Sequence, residues 1–554
     1  MPELVLKVHP ADNVIVALKD LKKGQKVICA EEEFELQDDV PAKHKFFTHD
    51  MQHGDEIVMY GVLVGKTQFF VKKGGLMSVE NTKHAADPFE FRPFQYEWSP
   101  PDVSKFANRT FNGYHRSDGR VGTANYWLFM PTVFCENRNL DVIREALHNN
   151  LGYAVTDKYK EYAKGLVDAY KNGEDISDES FSFDALTIPT STGRNSGSRL
   201  FKNIDGIKFL NHQGGCGGTR QDAETLGKLL AAYADHPNVA GITILSLGCQ
   251  HLQTKILLDE MQQRNPNFDK PVLIFEQQQS QSEEQLIANA IQKTFEGLIE
   301  ANKVERRPAP LSALTVGVKC GGSDGFSGIS ANPAVGYTSD LLAALGAKIL
   351  LAEFPELCGA EQQLIDRTVD EAAAKKFIHL MTTYNAQAES VGSGFYMNPS
   401  PGNIKDGLIT DAIKSTGAAK KGGTSLVVDV LDYTEKATKP GLSLVCTPGN
   451  DVEATTGKAA SGATLILFTT GLGTPTGNPV CPVIKVATNN SLAARMSDII
   501  DINTGPIIEG EKTIEQMGKE ILEYCIKAAS GEVVPKAVLL NQDDFIPWKR
   551  GVSL

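Results

Sequence analysis

The chain has no stretch approaching the roughly 18 uninterrupted apolar residues that a membrane-spanning helix requires. Its start, Met1-Pro-Glu-Leu-Val-Leu-Lys-Val, lacks the basic region, apolar run and small-residue cleavage site of a secretory signal. Cysteine is sparse: nine in 554 residues, an odd number that builds no compact disulfide framework. Positive charge is in deficit, with a formal net charge of −13, which argues against a general nucleic-acid binder. The glycine-rich stretch from Gly321 is no Walker loop, because it lacks the Gly-Lys-Ser/Thr ending. These absences predict a cytoplasmic protein with no membrane span and no nucleic-acid partner, acting on small molecules. An anionic substrate stays compatible, because a local Arg/Lys cluster can act against the global field.

What is present reads as soluble and globular, with 41% hydrophobic and 22% charged residues. The length calls for two to four domains. Residues 1–95 read as a β-rich module, with strand-like runs at Val5-Leu-Lys-Val, Asn13 to Leu18, Glu56 to Gly65 and Gln68 to Val71. The Pro-rich segment from Asp87 to Pro101 predicts a linker, placed at 96–107. From Asn108 strands and amphipathic helices alternate, which predicts an α/β body with mostly parallel sheets in two parts, 108–305 and 306–554. Expected helices include Leu140 to Asn149, Gln253 to Arg264, Ser282 to Ala301, Ser339 to Leu345 and Ile514 to Ala529. The charged stretch from Tyr153 to Phe183 reads as a surface helix or insertion.

Three cysteines sit in glycine-framed turns: Cys216 in His212-Gln-Gly-Gly-Cys-Gly-Gly, Cys249 in Leu247-Gly-Cys-Gln-His, and Cys320 in Val318-Lys-Cys-Gly-Gly-Ser-Asp-Gly. Glycine lets a ligand approach the main chain, so such thiols can reach a metal or substrate. Cys135 closes an apolar stretch in a similar way. Thiolates select iron or zinc over magnesium, so Cys216, Cys249 and Cys320 are candidate metal ligands, with Cys135 and His212 as possible additions.

The loop from Phe111 to Asn125 gathers Tyr114, Arg116, Asp118, Arg120 and Asn125, and two arginines can fork onto a carboxylate. Gly321 to Pro333 surrounds Ser323, Asp324 and Ser327 with glycines, a nest able to hold an anion. Glu353-Phe-Pro-Glu-Leu-Cys-Gly-Ala-Glu361 brings Glu356 and Glu361 to a strand end, as metal ligands, general base or helix-terminal charges. Asn398 to Asn403 with Lys414, and Thr469 to Asn478 (which includes Thr470) with Lys485, resemble loops for a polyhydroxylated acid.

Together these motifs make the chain resemble the altronate/galactarate dehydratase (altronate hydrolase) family from the first strand to the C-terminus. The resemblance implies an N-terminal SAF-type domain on a dehydratase body. It implies removal of water from a hexonic or hexaric acid to give a 2-keto-3-deoxy acid, with a divalent metal, usually iron. Expected cofactors are therefore Fe²⁺ or an iron-sulfur cluster, with Mn²⁺ as alternative; the expected partners are a sugar acid and further copies of the chain. Asp324, Glu356, Glu361, Lys414 and Lys485 are the expected catalytic residues. Tyr114, Arg116, Asp118, Arg120, Asn125, Ser323, Ser327, Asn403 and Thr470 are expected to bind substrate. The chain departs from the family pattern at Ala124, Gln250, Ala412-Ile413 and Leu472, where charged residues are usual, and at Ser78-Val-Glu-Asn81, which replaces His-x-His-Asn and leaves His84 as a displaced ligand. Galactarate, sulfolactate with sulfite release, or sugar-acid binding without catalysis are the alternatives these departures raise.

Overall fold

The computed structural model describes residues 4–92, 96–155, 158–183 and 199–551. It has small antiparallel sheets at the N-terminus followed by an α/β body with parallel sheets. In the N-terminal module Val5–Leu6, Val14–Ala17 and Lys45–Phe47 form one sheet, and Glu56–Met59, Val62–Thr67 and Thr82–Lys83 form another. The expected strand at Gln68 to Val71 is absent. Val71 makes only an isolated bridge to Met51, and Phe69 and Phe70 stand exposed, because no neighbouring strand offers them a ladder.

The first parallel sheet has four strands, in the order Gly206–Phe209, Tyr126–Pro131, Val239–Ser246, Val272–Glu276. The second has seven, in the order Val427–Leu431, Gly441–Val445, Lys348–Ala352, Thr315–Cys320, Leu465–Thr470, Val483–Ala487, Ile502–Asn503. Their central strands are near-continuous apolar runs, as expected where helices cover both faces. Between the sheets, Arg307–Pro310 pairs with Thr110–His115, so the chain returns to close a small antiparallel sheet. The charged stretch after Tyr153 does carry a helix, Lys158–Lys171, with most of its side chains outside the core. The Pro-rich segment includes residues 93–95, which lie outside the described residues, and the Tyr153 to Phe183 stretch likewise includes 156–157.

Helix boundaries follow local chemistry. The C-terminal helix Ile514–Ala529 starts at a reciprocal Thr513/Gln516 capping box and buries Met517, Ile521, Leu522, Cys525 and Ile526 at helical spacing. The expected helix at Ser339 begins eight residues earlier, at Ala331. Pro333, the last residue of the glycine-rich stretch, falls in the first turn, where a helix needs no N–H from it.

Two strands occupy switch points. Thr315–Cys320 has Lys348–Ala352 on one side and Leu465–Thr470 on the other, and Tyr126–Pro131 is likewise flanked by Gly206–Phe209 and Val239–Ser246. Connections leave such strands in opposite directions, opening a crevice at their carboxyl ends where ligands bind in open α/β sheets.

Candidate active site at the ends of the two parallel sheets

At the end of the seven-stranded sheet the crevice is filled with buried charge. Lys319, the penultimate residue of its strand, pairs with Glu353 and, at 2.8 Å, with Asp451. Lys421 Nζ lies 2.7 Å from Cys320 Sγ and 3.8 Å from Glu353. Lys458 faces the same Glu353 at 3.6 Å, with no hydrogen-bond partner for its Nζ. Lys414 donates to Glu356 at 3.0 Å and to Asn398 Oδ1 at 2.7 Å, and Cys320 Sγ lies 3.6 Å from Glu356. Four ammonium groups thus meet three carboxylates and a thiol.

Backbone geometry makes this packing possible. Glu353 adopts a left-handed φ of 74° just past its strand, aiming its carboxylate back under the sheet end. A Cβ on Gly321 would sit 2.5 Å from the Asp451 carboxylate oxygens, so only glycine lets Asp451 reach Lys319. The electrostatics follow from burial and neighbours. Burial opposes the Lys319 charge, but Glu353 and Asp451 hold its pKa well above the usual lysine range. Burial would raise the Glu356 carboxyl, yet Lys414, Lys319 and Lys421 hold it down to about 2. Burial pushes Lys458 down to about 8 despite the nearby Glu353.

Beside this cluster stands a second one. His84, Cys358 and Asp411 each offer a ligand atom, all within 4.8 Å of one another. Asp411 opens the helix Asp411–Ala419, whose cap Thr410 also donates to Val64 O at 2.8 Å. That bond anchors the helix on the N-terminal module, which carries His84. Gly359, at φ 95°, packs against Ala412 and Ala86, so the Cys358 turn wedges between helix and module. Glu361 joins through a 2.5 Å bond from Gly359 N and a contact with Cys358. Burial raises the Asp411 carboxyl to about 8 and Glu361 to about 6, and lowers the His84 ring. Lys414 lies one helical turn beyond Asp411, so the two clusters share a helix face.

The expected thiol set is divided. Cys320 is buried in the seven-stranded sheet, whereas Cys135, Cys216 and Cys249 are exposed in the loops after three adjacent strands of the four-stranded sheet. Gly214 O accepts from Phe134 N at 3.1 Å and Gly215 O from His251 N at 3.0 Å, which ties the three loops together. Among the described residues, no ligand group of three within 4.8 Å contains Cys135, Cys216, Cys249 or His212. His212 has both ring nitrogens engaged, with Pro131 O at 2.8 Å and Gly214 N at 3.1 Å. It orders the loop and is not a free ligand. A cavity of about 580 Å³ beside Cys216 is lined by His212, Asn211, Glu453 and Trp548. Gln250 donates to Thr132, Ser246 and Leu252 and accepts from Gly248 N, knitting the Cys249 turn to the strand ends.

The loop from Phe111 to Asn125 is a structural clamp. Arg116 donates to Pro237 O at 2.7 Å and Asn125 Oδ1 at 2.9 Å, and Arg120 forks onto Asp118 and the buried Asp235. Tyr114 is buried with the Arg306 guanidinium 4.6 Å over its ring. These guanidinium forks are satisfied by the protein's own acceptors.

Asp324 is likewise occupied. Lys43 approaches it at 3.0 Å, Ser327 Oγ at 2.9 Å and Thr488 Oγ1 at 3.1 Å, a bond set that fixes the glycine nest to the N-terminal module. Asn403 donates to Ser323 O at 2.8 Å and shares a capping box with Ser400. Thr470 Oγ1 accepts from Gly473 N at 2.9 Å and so orders its own turn. Lys485 is buried against the Phe468 ring at 3.7 Å, donates to Thr476 O, and is driven by burial down to about 7. Of the expected catalytic residues, Glu356 and Lys414 meet at the Cys320 cluster, Glu361 sits beside Cys358, Lys485 borders the cluster through Asp451 and the Phe468 ring that Lys319 also faces, and Asp324 has separate surroundings.

Sequence reasoning passed over Lys319, Lys421, Lys458, Asp451 and Asp411. One signal was legible: Lys319 stands inside an apolar parallel strand, where a charge demands a partner. Lys458 and Asp411 lie in ordinary amphipathic contexts, and only the fold turns them inward.

Comparison with known proteins agrees with this architecture. The altronate/galactarate dehydratase SAF domain matches residues 3–85, the D-galactarate dehydratase/altronate hydrolase second domain matches 113–302, and the D-galactarate/altronate dehydratase C-terminal domain matches 311–553. The chain is 32% identical to an altronate dehydratase of Bacillus subtilis, covering 99% of both chains. It is 31% identical to a galactarate dehydratase (L-threo-forming) of Escherichia coli, over 95% of this chain and 93% of that one. A (2R)-sulfolactate sulfo-lyase subunit beta of Chromohalobacter salexigens is 28% identical over 80% of this chain and 98% of its own. With all three domain types in order and this likeness along its whole length, the chain belongs to the altronate/galactarate dehydratase family.

Proposed function

We propose that the chain is a hydro-lyase that dehydrates a sugar acid such as altronate to a 2-keto-3-deoxy acid, assisted by a divalent metal, with iron favoured over Mn²⁺. The observation that carries this reading is the buried group of Lys319, Lys414, Lys421 and Lys458 at the switch point of the seven-stranded sheet. Dehydration removes the proton on C2, next to the carboxylate. Its electron pair forms the C2–C3 double bond as the C3–O bond breaks. The hydroxyl gains a proton and leaves as water, and the enol rearranges to the 2-keto acid. Negative charge builds on the carboxylate as C2–H is lost, and fixed cations in a water-poor crevice stabilise such charge most strongly.

Lys414 and Lys421 supply those cations, held in place by Glu356 and Cys320. Lys458 is the base that the crevice offers, since its amine is neutral above about pH 8 and its Nζ has no hydrogen-bond partner. The residues that fit a divalent ion are His84, Cys358, Asp411 and Glu361, because two of them carry buried atoms without hydrogen-bond partners, His84 Nδ1 and Asp411 Oδ2. A cation bound there would polarise the departing hydroxyl.

The test is to incubate the Fe²⁺-supplemented protein, without oxygen, with aldonates, aldarates and sulfolactate, and to measure 2-keto acid and sulfite. A 2-keto-3-deoxy acid from an aldonate or aldarate is expected. Sulfite from sulfolactate as the main product, or no product from any acid, would overturn the reading.

A further inference from the structure

We infer that Cys135, Cys216 and Cys249 hold a four-iron, four-sulfur cluster at the carboxyl end of the four-stranded sheet, with one iron open to a small oxygen ligand. The inference goes beyond the dehydratase reading and does not rest on it. The divalent ion considered above belongs to other residues.

Topology comes first. The strands Gly206–Phe209, Tyr126–Pro131 and Val239–Ser246 are adjacent and parallel, so the loops that follow them emerge side by side. Each loop carries one of the thiols and is bonded to a neighbouring loop. Phe134, next to Cys135, donates its N–H to Gly214 O at 3.1 Å. His251, two residues after Cys249, donates to O of Gly215, which directly precedes Cys216, at 3.0 Å. The Gln250 side chain, next to Cys249, donates to Thr132 Oγ1 at 3.0 Å. A Cβ on Gly215 would lie 2.1 Å from Thr132 O, so only glycine lets the Cys216 loop pack this closely on the Cys135 loop. The fold thus replaces Cys320, buried in the other sheet, with Cys135 in the thiol set.

Ligand chemistry comes second. The three thiols are free and exposed, although cysteine is among the most buried residue types. Among the described residues they form no set within 4.8 Å, so a single ion with bonds of about 2.3 Å does not reach all three. A four-iron cluster binds each thiolate through a different iron, so its ligand sulfurs stand farther apart than those around one ion. His212 is engaged at both ring nitrogens, which leaves a set of thiols alone, the usual ligands of such clusters.

The backbone comes third. Gly215, Gly217 and Gly248 take left-handed φ of 98°, 70° and 114° around Cys216 and Cys249. Turns of this kind gather N–H groups into nests that suit anions and iron–sulfur centres. Among the described residues the N–H groups of Cys216, Gly217, Gly218 and Cys249 donate to no protein acceptor, so all four are available to cluster sulfur. A Cβ on Gly217 would meet nothing within 4 Å, which leaves room beside Cys216. Three thiolates leave the fourth iron without a protein ligand, and the cavity of about 580 Å³ beside Cys216 admits a hydroxy acid to this end of the sheet.

The probe is iron and sulfide. Full-length protein, freed of metal by a chelator and kept without oxygen, is incubated with equal ferrous and ferric iron and with sulfide, then desalted. About four irons and four sulfides should remain per chain, with a broad visible sulfide-to-iron band and an EPR signal after reduction by dithionite. Cys135→Ala, Cys216→Ala and Cys249→Ala should each lose the EPR signal and most of the bound sulfide, whereas Cys358→Ser should keep both. Iron retained without sulfide, about two irons and two sulfides per chain, or a band unchanged in all three alanine variants would overturn the site. Should a variant fail to fold by circular dichroism, alkylation of the parent protein decides. The three thiols should label in the cluster-free protein and be protected after reconstitution, and equal labelling in both states rejects the cluster. Turnover of a sugar acid by Fe²⁺-supplemented protein that retains no sulfide on reconstitution would reject the cluster and leave the dehydratase reading standing. A complete cluster with no turnover of any acid would do the reverse.

Discussion

The carboxyl end of the four-stranded sheet exposes three thiols, whereas the end of the seven-stranded sheet buries four lysines among carboxylates. Both lie at switch points, so topology alone supplies a crevice twice. What differs is how each crevice is closed. The thiol loops are held by backbone bonds and by Gln250, and their sulfurs take no part in the packing. The lysine crevice is held by its own ion pairs, so stability and chemistry there involve the same atoms. Side chains that a fold leaves out of its internal bonding can be changed cheaply, and those it uses cannot.

The sharpest way to break this comparison is Lys319→Met. It leaves Glu353 and Asp451 short of a buried partner and should cost about 3 to 5 kcal/mol in urea unfolding. A loss below 1 kcal/mol would mean that the ion pairs do not hold the crevice. Lys458→Met should act oppositely on stability. The folded pKa of Lys458, about 8, lies below the ordinary 10.5, so the unfolded chain binds the extra proton between those values. This lysine therefore destabilises the fold fully below about pH 8, and the penalty disappears as pH rises through 10.5. The variant should gain on the order of 3 kcal/mol at pH 7 and little at pH 10.5, while its dehydration rate falls about 10²-fold or more. Equal stability differences at both pH values would show that burial leaves the Lys458 pKa at its ordinary value.

Arg120→Lys tests the clamp. A lysine cannot fork onto Asp118 and Asp235, so a loss of about 1 to 3 kcal/mol is expected. KM should stay unchanged, and a rise in KM with normal stability would return the loop to substrate binding. The smallest effect belongs to Cys135→Ser, Cys216→Ser and Cys249→Ser, each within about 0.5 kcal/mol of the parent. Mass spectrometry after brief alkylation of the folded protein should find label on these three and none on the buried Cys320, Cys446, Cys481 and Cys525. Rapid labelling of Cys320 would mean that its crevice is open.

Much of the fold was legible. The apolar strands ending at Cys320 and Ser246, and the helix Ile514–Ala529 with its capping box, follow from period and cap residues alone. The helix that starts at Ala331 was expected only from Ser339, because its first turns belong to the segment that follows the glycine-rich nest. The candidate site was legible in part. Glu356 and Lys414 were expected to act, and they meet at 3.0 Å, although 58 positions separate them. The internal partners of the arginine loop were not legible, because a pair of guanidinium groups suits a substrate and a structural clamp alike, and the clamp depends on Asp235, which lies more than a hundred residues away.

The sequence by itself determined the order of domains, the family, the two parallel sheets and the glycine turns that end their central strands, since these depend on period, composition and local backbone freedom. Only the tertiary structure decided which thiols are buried, which arginines are satisfied internally, and that His84 meets Cys358 and Asp411. Those outcomes depend on distances between residues far apart in the chain. Such distances are set by how layers pack, and no local pattern encodes them.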